Sequence, residues 1–158
     1  MLDTNSMAMD DGAAGRRALM AALAQAPAQE IADGLKAANV APDYVELRPI
    51  ETGLVMVRGR IGGDGQPFNV GEATVTRAAV RMASGEIGFA YQLGRDREKA
   101  LLAAICDAVW QNEDKREAIE RHVLAPIRAR QDTERRRKQE RTAATRVDFF
   151  TLVRGEDA

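Results

Sequence analysis

Hydrophobic positions change period twice along this chain. Between residues 16 and 38 the apolar side chains Leu19 and Leu23, then Ile31 and Leu35, recur every four residues. That spacing places them on one stripe of an α-helix. Pro27 has no backbone N–H to give a helix interior and suits a helix's first turn. The pattern predicts two short helices, 16–26 and 28–38, ended by Asn39 and Pro42. From Tyr44 the period falls to two, which predicts strands at 44–50, 54–61, 67–82 and 86–93. Glu51-Thr52-Gly53 has the form of a three-residue hairpin loop and Ser84-Gly85 that of a two-residue one, with Gly62-Gly63-Asp64-Gly65 closing the middle hairpin. After Gly94 helical spacing returns. Asp96 caps a helix running to about residue 111, with Leu101, Ile105, Ala108 and Val109 inward. A further helix from about residue 113 carries Ile119, Val123 and Ile127 four apart, and Pro126 should kink or split it.

The apolar stripe stops after Pro126, while Thr145 to Arg154 is apolar and strand-like again and contains Phe149-Phe150. The expected fold class is α+β: an N-terminal helical hairpin, a four-stranded antiparallel sheet, two C-terminal helices and an extended C-terminal arm. Residues 1–15 read as a disordered leader, 16–127 as a single α+β domain, and 128–158 as a polar helix with a docking arm.

Propagating the hairpin registers predicts the two faces of the sheet, because residues opposite each other in a ladder share a face. With Ile50 opposite Leu54, Ile61 opposite Gln66 and Ala83 opposite Glu86, one face collects Val45, Leu47, Val55, Val57, Val70, Val80, Met82, Ile87, Phe89, Tyr91 and Leu93. This face is apolar enough to be the core. The other collects Arg48, Arg58, Arg60, Arg77 and Arg81 with Glu46 as its only acid, and also carries Gln92 and Ala90.

Composition narrows the function classes. With 45% apolar and 30% charged residues in 158, the chain is neither disordered nor a membrane protein. Twenty-three bases against twenty-four acids exclude a uniformly basic protein that tracks nucleic acid or anionic lipid. Nineteen of the bases are arginine, which suits planar pairing with carboxylates or phosphates. Residues 121–141 hold eight bases and three acids, but the acids and the lack of aromatics speak against an RNA-binding helix. A single Cys106 among Leu102, Ile105 and Val109 excludes an internal disulfide and reads as a buried thiol. His122 is the only histidine, so a metal site or a Ser/His or Cys/His dyad has little to rest on. No phosphate loop, dinucleotide fingerprint or nucleophile elbow occurs. The first fifteen residues lack the basic and apolar regions of a secretory signal, and no stretch reaches ~20 apolar residues. The expectation is a cytoplasmic chain with no catalytic, cofactor-binding or metal-binding residues of its own.

Two constellations could carry binding. Arg58 and Arg60, two apart on one strand, could stand near Arg77 and clamp a phosphate-rich ligand, with Arg81 on the same face. Phe149 and Phe150, beyond a long polar run, could dock on another chain.

The run Glu51-Thr52-Gly53-Leu54-Val55-Met56-Val57-Arg58-Gly59-Arg60, followed by Gly62-Gly63, Pro67-Phe68-Asn69 and Gly71-Glu72-Ala73-Thr74-Val75-Thr76-Arg77, closely resembles the PhnG family, the G subunit of the bacterial carbon–phosphorus lyase system. The resemblance continues through Leu93-Gly94-Arg95-Asp96 to Thr145-x-Val147-x-Phe149-Phe150-Thr151. It implies a subunit of a core complex with the H, I and J subunits. That complex transfers a phosphonate such as methylphosphonate onto the ribose C1 of ATP, releasing adenine and giving ribose 1-methylphosphonate 5-triphosphate. ATP is then a substrate of the complex, and no catalytic residue is implied for this chain. The alternative is a nucleotide- or phosphate-binding module on the arginine face.

Overall fold

The computed structural model describes residues 4–41, 43–62 and 64–145, with side chains from residue 12 onward. Helices α1 (Thr4–Ala24) and α2 (Ala28–Ala37) precede strands β1 (Tyr44–Arg60), β2 (Pro67–Met82) and β3 (Ile87–Leu93). Helices α3 (Arg97–Gln111) and α4 (Glu113–Ile119), a π-helical turn (Glu120–Leu124) and α5 (Ala125–Ala144) follow. The architecture is α+β, and the chain divides into two units, Met1–Arg128 and Ala129–Ala158.

The sheet has three antiparallel strands in the order β1-β2-β3, not four. Glu51-Thr52-Gly53 does not turn the chain. Glu51 pairs with Arg77, Thr52 with Thr76 and Gly53 with Val75, inside one 17-residue strand. Gly53 is not among the positive-φ glycines, so it supplies no left-handed turn. Irregularities between Glu46 and Arg48 and between Arg48 and Glu51 absorb the extra residues.

The first helix also starts earlier than its apolar pattern suggested. α1 begins at Thr4, so most of the expected disordered leader, from residue 4 to residue 15, is helical. Packing supplies a reason that propensity does not: a Cβ at Gly15 would lie 2.4 Å from the Trp110 ring, so glycine lets α1 pass close over that ring. Arg16, one residue on, bonds Asp107 of α3.

Helix ends follow local chemistry. Pro27 is the N-cap of α2, and Asn39 at φ 52° ends it in the left-handed conformation. Asp96 accepts the Lys99 amide at 2.9 Å and caps α3. Pro126 cannot donate to the carbonyl of His122, and the turn before it widens, with the Ala125 amide donating to Glu120 O. Ile119, Val123 and Ile127 all stay buried through this change.

The core lies between the sheet and the helices. Leu19, Leu23, Ile31 and Leu35 from α1 and α2 meet Ala78, Val80 and Met82 of β2 and the alanine-rich α3. The second unit, as described, is the polar continuation of α5, with pairs such as Arg130–Glu134 at 2.9 Å at helical spacing. The expected arm and its Phe149 and Phe150 lie outside the described residues.

Candidate partner-binding surface

The β2–β3 turn decides which face of β3 meets the helices. Met82 N–H donates to Glu86 O at 2.9 Å and the ladder continues with Arg81 opposite Ile87, so Ala83, Ser84 and Gly85 form a three-residue loop. Gly85, at φ 105°, supplies its left-handed position. The expected register, with Ala83 opposite Glu86, is therefore wrong by one residue. A one-residue slip moves every side chain of a strand to the other face. Gly88, Ala90 and Gln92 face the helices, whereas Ile87, Phe89, Tyr91 and Leu93, expected in the core, face away.

Close helix packing explains this choice. A Cβ on Gly88 would lie 2.0 Å from Ala104 O and 2.6 Å from Ala108 N. α3 thus rests almost on the backbone of β3, where a phenylalanine or tyrosine has no room. The small residues go inward and the large ones outward.

By the same ladder, Arg81 stands with Ile87 and Val45, Ala79 with Phe89 and Arg48, and Arg77 with Tyr91 and Glu51. The outer face is consequently not an arginine surface but a mixture of arginine with aromatic and aliphatic side chains. Val45 is 67% exposed, Phe89 51%, Tyr91 62% and Leu93 76%. Antiparallel sheets commonly leave one face in water, but that face is ordinarily polar. Aromatics and arginine together are the composition enriched where proteins meet.

The five predicted arginines part company. Glu51 accepts from Arg77 Nε at 2.9 Å and also bonds Arg48, so one carboxylate neutralises two of them. Burial acts to raise the Glu51 pKa, but the charges of Arg77 and Arg48, with their hydrogen bonds, hold it below the usual carboxylate range. A hydrogen bond with Tyr91, together with Glu51, raises that of Arg77. Arg81 shares this face with Arg77 and, among the described residues, has no ion pair. Arg58 pairs with Asn69 and Arg60 with Pro67 near the far end of the β1–β2 ribbon. Strand alternation sets both on the reverse face. Seven residues separate Arg58 from Glu51, the partner of Arg77, or about 23 Å along the strand. The expected phosphate clamp of Arg58, Arg60 and Arg77 is not assembled.

Sequence reasoning missed Phe89, Tyr91 and Leu93 as surface residues. The signal was present in Gly88 and Ala90 alternating with them, opposite a helix rich in alanine at 100, 103, 104 and 108. Cys106 is fully buried, and desolvation, aided by the charge of Asp107, pushes its pKa up to about 12. Among the described residues no group of three or more His, Cys, Asp or Glu could hold a metal ion, and no helix is long and apolar enough to cross a membrane.

Comparison with known proteins adds a family to this surface. The family model for the phosphonate metabolism protein PhnG matches residues 14–155. The alpha-D-ribose 1-methylphosphonate 5-triphosphate synthase subunit PhnG of Rhizobium meliloti (strain 1021) is 50% identical over 157 residues, covering 99% of this chain and 100% of that protein. A match over nearly the whole length, in a chain whose sheet turns an apolar face outward, places this protein in the PhnG family.

Proposed function

We propose that this chain is a non-catalytic subunit of a carbon–phosphorus lyase core complex in the cytoplasm, assembled with the H, I and J subunits. The complex would transfer a phosphonate such as methylphosphonate onto the ribose C1 of ATP, releasing adenine and giving ribose 1-methylphosphonate 5-triphosphate. ATP is then a substrate of the assembly, and no cofactor is assigned to this chain. The observation that carries the reading is the uncovered outer face with Phe89, Tyr91 and Leu93, in a chain so similar to a named synthase subunit. A subunit needs an apolar surface that a free monomer would not keep in water. Arg81 at the edge of that face would meet partner carboxylates, and Phe149 and Phe150 would form a second contact.

The phosphate-binding alternative has less support. Glu51 already occupies Arg77, and Arg58 and Arg60 lie far along the ribbon.

Co-expression with the H, I and J subunits followed by size-exclusion chromatography tests the subunit reading. The chain is expected to co-elute with them. Phe89→Glu combined with Tyr91→Glu should weaken assembly by roughly tenfold or more, since truncating an interface hot spot costs ~2 kcal/mol or more. The melting temperature of the isolated chain should stay within about a degree or two of wild type, because both side chains are exposed. Removing residues 146–158 should weaken assembly as well. A wild-type chain that elutes apart from all three subunits would sink the proposal.

A further inference from the structure

Beyond the end of β3 the sheet narrows to two strands. Leu93 pairs with Val75 and the Gly94 amide donates to Thr74 O, so residues 67–73 of β2 are flanked by β1 alone. This ribbon exposes large apolar side chains on both sides. Val55 and Val57 lie on one face, and a Cβ at Gly59 would touch Val70 and Phe68, which sets those two side chains on that face as well. Leu54 and Met56 alternate onto the reverse face, followed by Arg58 and Arg60. Val55, Val57, Phe68, Val70, Leu54 and Met56 are all exposed. An isolated two-stranded ribbon is marginal in water, and apolar side chains on both of its faces add to what must be covered.

The two faces differ in charge. The face with Val55, Val57, Phe68 and Val70 carries no ionisable residue. The reverse face carries Glu72 opposite Met56, then Arg58, which makes no ion pair among the described residues, and Arg60, whose guanidinium donates to Gly65 O at 3.3 Å.

We infer that this ribbon is gripped on both faces in a cleft of a partner subunit. One wall is apolar, against Val55, Val57, Phe68 and Val70. The other is apolar opposite Leu54 and Met56, offers a hydrogen-bond donor or base to Glu72 beside them, and carries carboxylates opposite Arg58 and Arg60. The inference rests on the subunit reading above and extends it from the base of the sheet to its tip. A second copy of this chain fits less well. A two-fold contact presents the same patch from each copy, so a single pairing covers one face of each ribbon and leaves the other in water.

Met56→Glu and Val57→Glu test the cleft, because these neighbours point to opposite faces. Each full-length variant is co-expressed with the H, I and J subunits, and its share of the assembled complex is compared with wild type. Unchanged circular dichroism and melting of the isolated chain establish that the exposed substitutions leave the fold intact. Each variant should lower assembly by on the order of tenfold. Met56→Glu or Val57→Glu assembling like wild type would show a one-sided contact and overturn the cleft, while leaving the subunit reading in place. If the wild-type chain itself does not assemble, both readings fall. Sedimentation of the isolated chain as a dimer that either variant splits would replace the cleft with self-association.

Discussion

Asp107 shows how much one residue can hold together. Its side chain is 2% exposed, accepts from Arg16 Nε at 2.8 Å and Nη2 at 2.6 Å, and also accepts the Phe89 amide at 2.9 Å. It therefore joins α1, β3 and α3. The bond with Asp107 raises the Arg16 pKa against the opposing effect of burial. Arg16→Ala should cost about 2–3 kcal/mol in urea unfolding, because it leaves a buried carboxylate with only the Phe89 amide as partner. Asp107→Ala should cost about as much: Arg16, 39% exposed, can turn toward water, but the Phe89 amide loses its acceptor. Gln92 is the opposite case. It is 2% exposed, and among the described residues neither atom of its amide finds a hydrogen-bond partner. Gln92→Met should raise stability by about 1 kcal/mol, measured by the same unfolding, because an unsatisfied buried amide costs about 1–3 kcal/mol. The sequence signalled Asp107, an acid between Cys106 and Ala108 in an apolar helix, but not its partner. Arg16 stands 91 residues away.

At the scale of elements, local signals placed the helices well and the strands less well. Period-four spacing identified the buried faces of α1, α2 and the helix through Val123 because those side chains repeat against one core. Period-two spacing located strand residues but not their turns. Gly53 resembles a loop glycine, yet it lies in an extended strand whose neighbours are fixed by cross-strand contacts, such as Thr52 Oγ1 to Thr76 Oγ1 at 3.0 Å. Gly88 matters as a contact, not as a turn. Gly88→Ala should lower stability by roughly 1–3 kcal/mol, read as a lower melting temperature, because its methyl group would meet the backbone of α3 at Ala104 and Ala108. Ala90→Gly, which removes a methyl group from the same face without adding one, is the control that separates crowding from a change in strand propensity.

At the scale of the molecule, the near balance of 23 bases and 24 acids still argues against a generic polyanion binder. The arginines are used locally instead: Arg16 on the buried Asp107, Arg48 and Arg77 on Glu51, and Arg58 out on the ribbon. The exposed large apolar side chains run along the outer sheet face and both sides of the ribbon. The assembly and cleft experiments above probe this pattern at its base and at its tip.

The sequence by itself determined the α+β class, the helical stripes, the buried Cys106 and the family resemblance, because each depends on composition, periodicity or an unbroken motif within a short stretch. Tertiary structure alone decided the number of strands, the outward turn of Phe89 and Tyr91, and the separation of Arg58 from Arg77. Those depend on register. A single residue of slip at Ala83-Ser84-Gly85 exchanges two plausible faces of β3, and what settles the choice is the close approach of α3 to Gly88.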